Sequence, residues 1–150
     1  MPCRTPFKGM FMAEQPVHKY KVLVVDDDAD ILTTIRMALE EVGHTVLTAA
    51  DGLAALERAE AERPDIVILD LMLPKRGGFQ VLQKLKGRPD MRGKRPLVCL
   101  VTGNEGMRHK EFAEQHGVDD YLNKPFAIAH LMEIVEGFVD RLDKGVENAK

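Results

Sequence analysis

A chain of 150 residues has the length of one ordinary domain with a core of its own. Hydrophobic residues at 45% and charged residues at 30% exclude the disordered and fibrous classes. A net charge of -3, from 21 Lys and Arg against 24 Asp and Glu, argues against general nucleic-acid binding.

The first sixteen residues, MPCRTPFKGMFMAEQP, carry three prolines and no sustained period, and read as a flexible N-terminal extension. Met12 would make an equally natural start, which leaves open whether residues 1–11 are translated. From residue 17 the chain alternates between two periods. YKVLVV (20–25) is a solid apolar strand of the kind a parallel sheet buries on both faces. Ile31, Ile35, Leu39 and Val42 recur at helical spacing, and Gly43 stands where a helix C-terminal glycine belongs. TVLTA (45–49) is the second strand. Asp51-Gly52 opens an Ala-rich helix that Pro64 stops. DIVILDL (65–71) is the third strand, followed by the loop LPKRGG and the short helix FQVLQKLK (79–86). LVCLVT (97–102) is the fourth strand, and its Cys99 reads as a buried thiol and not as a disulfide partner of Cys3. Residues 105–116 form a weak helix between glycines, VDDYLN (118–123) a fifth strand. A last helix places Leu131, Ile134, Val135, Phe138 and Leu142 on one face.

Five strand–helix units in strict alternation predict a doubly wound α/β domain over residues 17–143, with a tail at 144–150. No apolar run reaches membrane-spanning length and the N-terminus lacks the core of a secretory signal, so a reducing cytoplasm is the expected location.

In such folds ligands bind at the carboxyl ends of the strands. There the first strand offers Asp26, Asp27 and Asp28, the third Asp70, the fourth Thr102 and the fifth Lys124; the second ends in alanines. Carboxylates this close repel by on the order of 3 kcal/mol per pair at ~5 Å and an effective dielectric of ~20, so something must offset their charge. Asp26, Asp27 and Asp70 form a set of hard oxygen ligands without nitrogen or sulfur, which favours Mg²⁺ over zinc. Lys124 suits a phosphoryl oxygen, Thr102 is a small hydroxyl donor, and a carboxylate such as Asp70 can become an aspartyl-phosphate. Asp28 and Asp30 flank a helix start and read as capping residues.

Five segments and one glycine, VLVVDDD (22–28), AADGLAAL (49–56), PDIVILDLMLP (64–74), Gly78, LVTG (100–103) and DYLNKPF (120–126), resemble the receiver domain of bacterial response regulators, in that family's order and spacing. The resemblance implies a flavodoxin-like, five-stranded parallel sheet of order 2-1-3-4-5. It makes Asp70 the phosphoacceptor and Asp26 with Asp27 the acidic pair that holds Mg²⁺. The backbone carbonyl of Met72 would complete the protein's share of the metal shell. Thr102 and Lys124 would contact the phosphoryl oxygens, Tyr121 would be the aromatic switch, and Lys124-Pro125 would be a cis peptide. Lys75-Arg76 departs from the usual loop, and Met72 and Asn104 occupy the two positions that tune phosphoryl lifetime in the family.

The implied role is a signalling switch that catalyses its own phosphorylation and dephosphorylation without being a turnover enzyme. The donor would be a histidine kinase or histidine phosphotransfer protein. Phosphorylation would change the surface of helix four, strand five and helix five for an output protein, the chain being a monomer or a phosphorylation-dependent homodimer. No helix-turn-helix is seen to support direct nucleic-acid contact. The alternative is a phosphoryl shuttle or sink without an output partner. Two rival motifs fail. Asp26, Asp28 and Asp30 start an EF-hand loop, but Ile31 and Met37 stand where Gly and Glu are required. The haloacid-dehalogenase signature needs Thr or Val at Asp30 and a strand-end acidic pair after the lysine, where only Glu133, Glu136 and Asp140 of a helix follow. The five histidines show no ligand or triad spacing.

Overall fold

The computed structural model describes residues 20–71, 73, 77–86, 89–91, 93–103 and 109–145. Strands β1 (Lys21–Val25), β2 (Thr45–Ala49), β3 (Ile66–Asp70), β4 (Leu97–Thr102) and β5 (Asp120–Asn123) alternate with helices. These are α1 (Ala29–Glu41), α2 (Gly52–Glu62), α3 (Gly78–Leu85), α4 (His109–His116) and α5 (Ile128–Asp143). A 3-10 turn, Pro89–Met91, precedes β4. All pairings are parallel and the strand order is β2-β1-β3-β4-β5, as the resemblance implies. The expected N-terminal extension and the residues after Gly145 lie outside the described residues. Among the described residues no helix is long and apolar enough to cross a membrane.

The solid apolar runs become central strands because both of their faces are covered. Every residue of β3 and β4 is buried, whereas β2, at the sheet edge, is only partly so. Alternate side chains sort into two layers, following the two-residue period of a strand. Val22, Val24, Ile66, Ile68 and Cys99 pack with Ile35 and Leu39 of α1 and with Phe138 of α5. Leu23, Val25, Val67, Leu69 and Leu100 pack with Ala55 of α2 and with Val81 and Leu82 of α3. Each such side chain stabilises by ~1.5–3 kcal/mol when fully buried.

The helix ends follow local chemistry. The Asp28 carboxylate accepts the N–H groups of Asp30 and Ile31 and so caps α1. Past its other end Gly43 adopts φ of 102°, the left-handed turn that glycine tolerates best. The Asp51 carboxylate caps α2 through the N–H of Ala54. That helix closes on Arg63 at φ of 49°, a left-handed position taken without glycine, directly before Pro64.

The fifth strand starts two residues later than expected. Val118 joins the α2–α3 layer of the core, and the Asp119 carboxylate turns inward to collect donors from other elements. Its Oδ2 accepts the N–H of Val98 at 2.9 Å and lies 3.0 Å from the Lys86 ammonium, while its Oδ1 accepts the N–H of Gly93. Both side chains of the Lys86–Asp119 pair are fully buried. Lys86 follows α3 and also donates to the carbonyls of Lys94 (2.6 Å) and Pro96 (3.1 Å).

Neighbouring charges along the same amino-end edge are matched too. Asp65 accepts the backbone N–H of Lys21 at 2.9 Å and pairs with Arg95 at 3.0 Å. Lys21 reaches Glu62 at 3.4 Å, and the Tyr20 hydroxyl donates to Asp143. His44 accepts the N–H of Tyr20 through Nδ1 at 3.3 Å.

Candidate functional site

Because β1, β3, β4 and β5 lie side by side and run the same way, their last residues meet along one edge. Asp26 follows β1, Asp70 ends β3, Thr102 ends β4 and Lys124 comes directly after β5. Backbone bonds hold them there. The N–H of Asp26 reaches the Ala49 carbonyl at 3.2 Å, that of Leu71 the Val101 carbonyl at 2.9 Å, and that of Lys124 the Thr102 carbonyl at 2.9 Å. Lys124-Pro125 is cis, as expected.

Carboxylate oxygens of Asp26, Asp27 and Asp70 all lie within 4.8 Å of one another. Asp26, Asp70 and Thr102 are buried, and Asp27 faces solvent. The Lys124 ammonium sits 3.0 Å from Oδ2 of Asp26 and 3.0 Å from Oδ2 of Asp70. The other Asp26 oxygen accepts the N–H of Asp28 at 2.9 Å. Burial pushes the Asp26 carboxyl above its ordinary value. The Asp28 N–H and Lys124 oppose that shift, and the neighbouring charge of Asp70 adds to it. For Lys124, burial works against the ammonium, but hydrogen bonds to Asp26 and Asp70 outweigh it and hold the group above its ordinary value. One ammonium thus serves two buried carboxylates, with a third negative charge alongside.

This donor set fits a hard divalent cation. It holds three carboxylates with neither imidazole nor thiolate in the cluster, one of them open to water, as Mg²⁺ requires when it keeps part of its hydration shell. Met72, expected to add its backbone carbonyl, lies outside the described residues, as do Lys75, Arg76 and Asn104.

Gly78, which the sequence marks only by resemblance, has a physical role here. A Cβ at this position would come under 3.0 Å from the Asp70 carbonyl oxygen and the backbone of Leu71. The first turn of α3 therefore presses directly on the end of β3 and fixes the backbone of Asp70. Tyr121 is half-buried on β5 and packs against the α2–α3 layer. Beside Lys124 opens a cavity of about 590 Å³ between α1 and the chain entering α5, lined by Asp30, Ile31, Thr34, Pro125 and Phe126 among others.

All the described residues that the sequence nominates for the metal and phosphoryl group are thus gathered at one edge: Asp26, Asp27, Asp70, Thr102 and Lys124. Of the two expected capping residues, Asp28 caps α1, while Asp30 stands in the first turn of the helix and makes no capping bond there. His130 is exposed, and the His116 ring meets that of Phe79 edge-on at 5.3 Å between centroids. What sequence reasoning missed is the donation from Asp28 to Asp26, which only the tight turn after β1 creates.

Comparison with known proteins agrees with this geometry. The profile of the response regulator receiver domain matches residues 22–136. Over 107 residues the chain is 41% identical to the alkaline phosphatase synthesis transcriptional regulatory protein PhoP of Bacillus subtilis, covering 71% of this chain and 43% of that protein. It is 35% identical over 121 residues to the response regulator MprA of Mycobacterium ulcerans, covering 81% of this chain and 50% of that one. The chain thus spans about half the length of the curated relatives it matches. Among solved structures, a Francisella response regulator receiver domain superposes with a TM-score of 0.72 at 32% identity, over 82% of this chain and 98% of that one. A CheY-like receiver domain protein from Methanospirillum hungatei superposes at 0.70 and 30% identity, over 85% and 100%. Strand order, edge carboxylates and relatives converge: the chain belongs to the response regulator receiver domain family.

Proposed function

We propose that the chain is a phosphorylation-controlled switch of two-component signalling, with Asp70 as phosphoacceptor and Mg²⁺ as its cofactor. One observation carries the reading: at the converging strand ends, the Lys124 ammonium bridges Asp26 and Asp70 inside a three-carboxylate cluster. A structural ion pair would match one carboxylate to one cation. Excess negative charge held in fixed geometry is suited to a divalent ion and an incoming phosphoryl group.

The donor is phosphohistidine on a histidine kinase or a histidine phosphotransfer protein. An Asp70 carboxylate oxygen attacks phosphorus in line. A P–O bond forms, the P–N bond breaks, and the imidazole leaves with its electron pair and takes up a proton. Lys124 and Thr102 donate to the transferred phosphoryl oxygens, which moves the ammonium from its carboxylate partners onto the new anion. Asp26, Asp27, Asp70 and the Met72 carbonyl would hold Mg²⁺, which when bound supplies charge neutralisation at the phosphoryl group. The cavity between α1 and the start of α5 supports the reading, because it leaves room beside Lys124 for a side chain of the donor protein. Hydrolysis of the acyl phosphate resets the site, so the chain is a self-catalysing participant and not a turnover enzyme. Thr102 follows the phosphoryl group, Tyr121 repacks, and the α4–β5–α5 surface changes for an output partner in the cytoplasm.

With Mg²⁺ and acetyl phosphate the protein gains the mass of one phosphoryl group, stable in acid and labile in base. Asp70→Asn abolishes that gain; labelling that survives the substitution overturns the acceptor assignment.

A further inference from the structure

Opposite the phosphorylation site, the buried Lys86–Asp119 pair has no part in the mechanism above, yet it joins several elements. The Lys86 ammonium is saturated by three oxygens, those of Lys94, Pro96 and Asp119. Asp119 and Val98 bond reciprocally. The N–H of Asp119 reaches the Val98 carbonyl at 3.0 Å, and the N–H of Val98 returns to the Asp119 carboxylate at 2.9 Å. Its other oxygen takes the N–H of Gly93 and lies 3.8 Å from Arg141 of α5. The pair therefore ties the connection from α3 to β4, the start of β4 and the start of β5 into one rigid unit.

That unit is where α4 rests. Helix α4 packs against β5 and against the 3-10 turn Pro89–Met91, the two surfaces that the pair holds together, and its end reaches α3 through His116 and Phe79. Its own sequence gives it little else. HKEFAEQH is predominantly polar, and a helix of eight residues is marginal without tertiary support. Tyr121, on β5, lies two residues beyond Asp119.

We propose that Lys86 and Asp119 are positioning residues for α4: their buried pair locks the two surfaces that seat the helix, and so sets how far α4 and Tyr121 rearrange on phosphorylation. The seat is testable on the unphosphorylated chain; the second half of the statement rests on the switch reading.

Hydrogen–deuterium exchange of the full chain decides the first half. Lys86→Met leaves the Asp119 charge buried without its ammonium, and the α4 amides are expected to exchange at least tenfold faster while those of β1 and β3 change far less. The neutral pair Lys86→Met/Asp119→Asn, which keeps a carbonyl oxygen for the Val98 N–H, recovers at least threefold of that protection. Exchange rising equally across sheet and helices, or α4 exchange that stays at the parental rate, overturns the proposal. For the second half, Tyr20→Phe leaves Tyr121 as the single tyrosine in a chain without tryptophan. Its fluorescence is followed on adding Mg²⁺ and beryllium fluoride, a mimic of the acyl phosphate. The response shrinks by half or more in Lys86→Met; a response equal to the parent's overturns this half. A parent without any response refutes the switch reading instead, and the exchange result on the seat still stands.

Discussion

The two ends of this sheet both gather charge, and they treat it in opposite ways. At the amino end, Asp65 has Arg95 and the Lys21 N–H, Glu62 has Lys21, and Asp119 has Lys86 with two backbone donors. At the carboxyl end, three carboxylates crowd within 4.8 Å around one ammonium that two of them share. Balanced charge stiffens the scaffold, and unbalanced charge stores an affinity that a ligand can use. The same residue types thus take different roles according to whether their partners are built in or left to arrive from solution.

Removing a partner at the balanced end should cost the most. Lys86→Met is expected to lower unfolding stability by about 3–5 kcal/mol, the usual loss when one member of a buried ion pair is deleted. The check is a fall in urea midpoint at unchanged slope. At the unbalanced end the sign reverses when charge is supplied. Mg²⁺ at a hundredfold excess over its dissociation constant should stabilise the fold by ~2.7 kcal/mol, and Asp27→Ala should remove most of that gain. Thermal melts with and without the ion would show it. Third, Asp26→Asn should raise stability without metal by about 1 kcal/mol, because burial beside Asp70 disfavours the ionised Asp26 in the folded state. A lower melting temperature in that variant would break the contrast between the two ends.

The smallest effect concerns His44 at the amino end. Burial holds its imidazole below the ordinary 6.5, so the unfolded chain takes up the proton first as pH falls. Its contribution is therefore intact above about pH 6.5 and is lost as pH drops below that value. His44→Gln, which keeps an acceptor for the Tyr20 N–H, should flatten that decline in melting temperature.

The carboxyl end is legible in the sequence because each strand there passes abruptly from apolar to polar residues. VLVV runs into Asp26, IVIL into Asp70, and LVCLV into Thr102. Strand period and fold rule then carry these residues to one edge. The amino end leaves no such mark. Lys86 closes LQKLK, a stretch that reads as the solvated end of a short helix, and Asp119 sits in VDDYLN, which reads as continuous strand. Their partnership crosses β4 and two connections, and a contact between residues so far apart has no local period. Gly78 is visible as a residue type, but the need for it comes from the approach of α3 to the Asp70 carbonyl. Arg63 in a left-handed conformation leaves no mark in the sequence, since the proline after it favours extended backbone at that position.

The cysteine at the centre of β4 gives the fold its own clock. Cys99 is fully buried, and burial pushes its thiol far above the ordinary value, so it reacts only when the sheet opens. With Cys3 replaced by serine, the rate at which an alkylating reagent marks Cys99 counts openings of the central strands under native conditions. That count, compared between the acyl-phosphate-mimic and resting forms, reports whether signalling chemistry at one edge reaches the innermost strand pair.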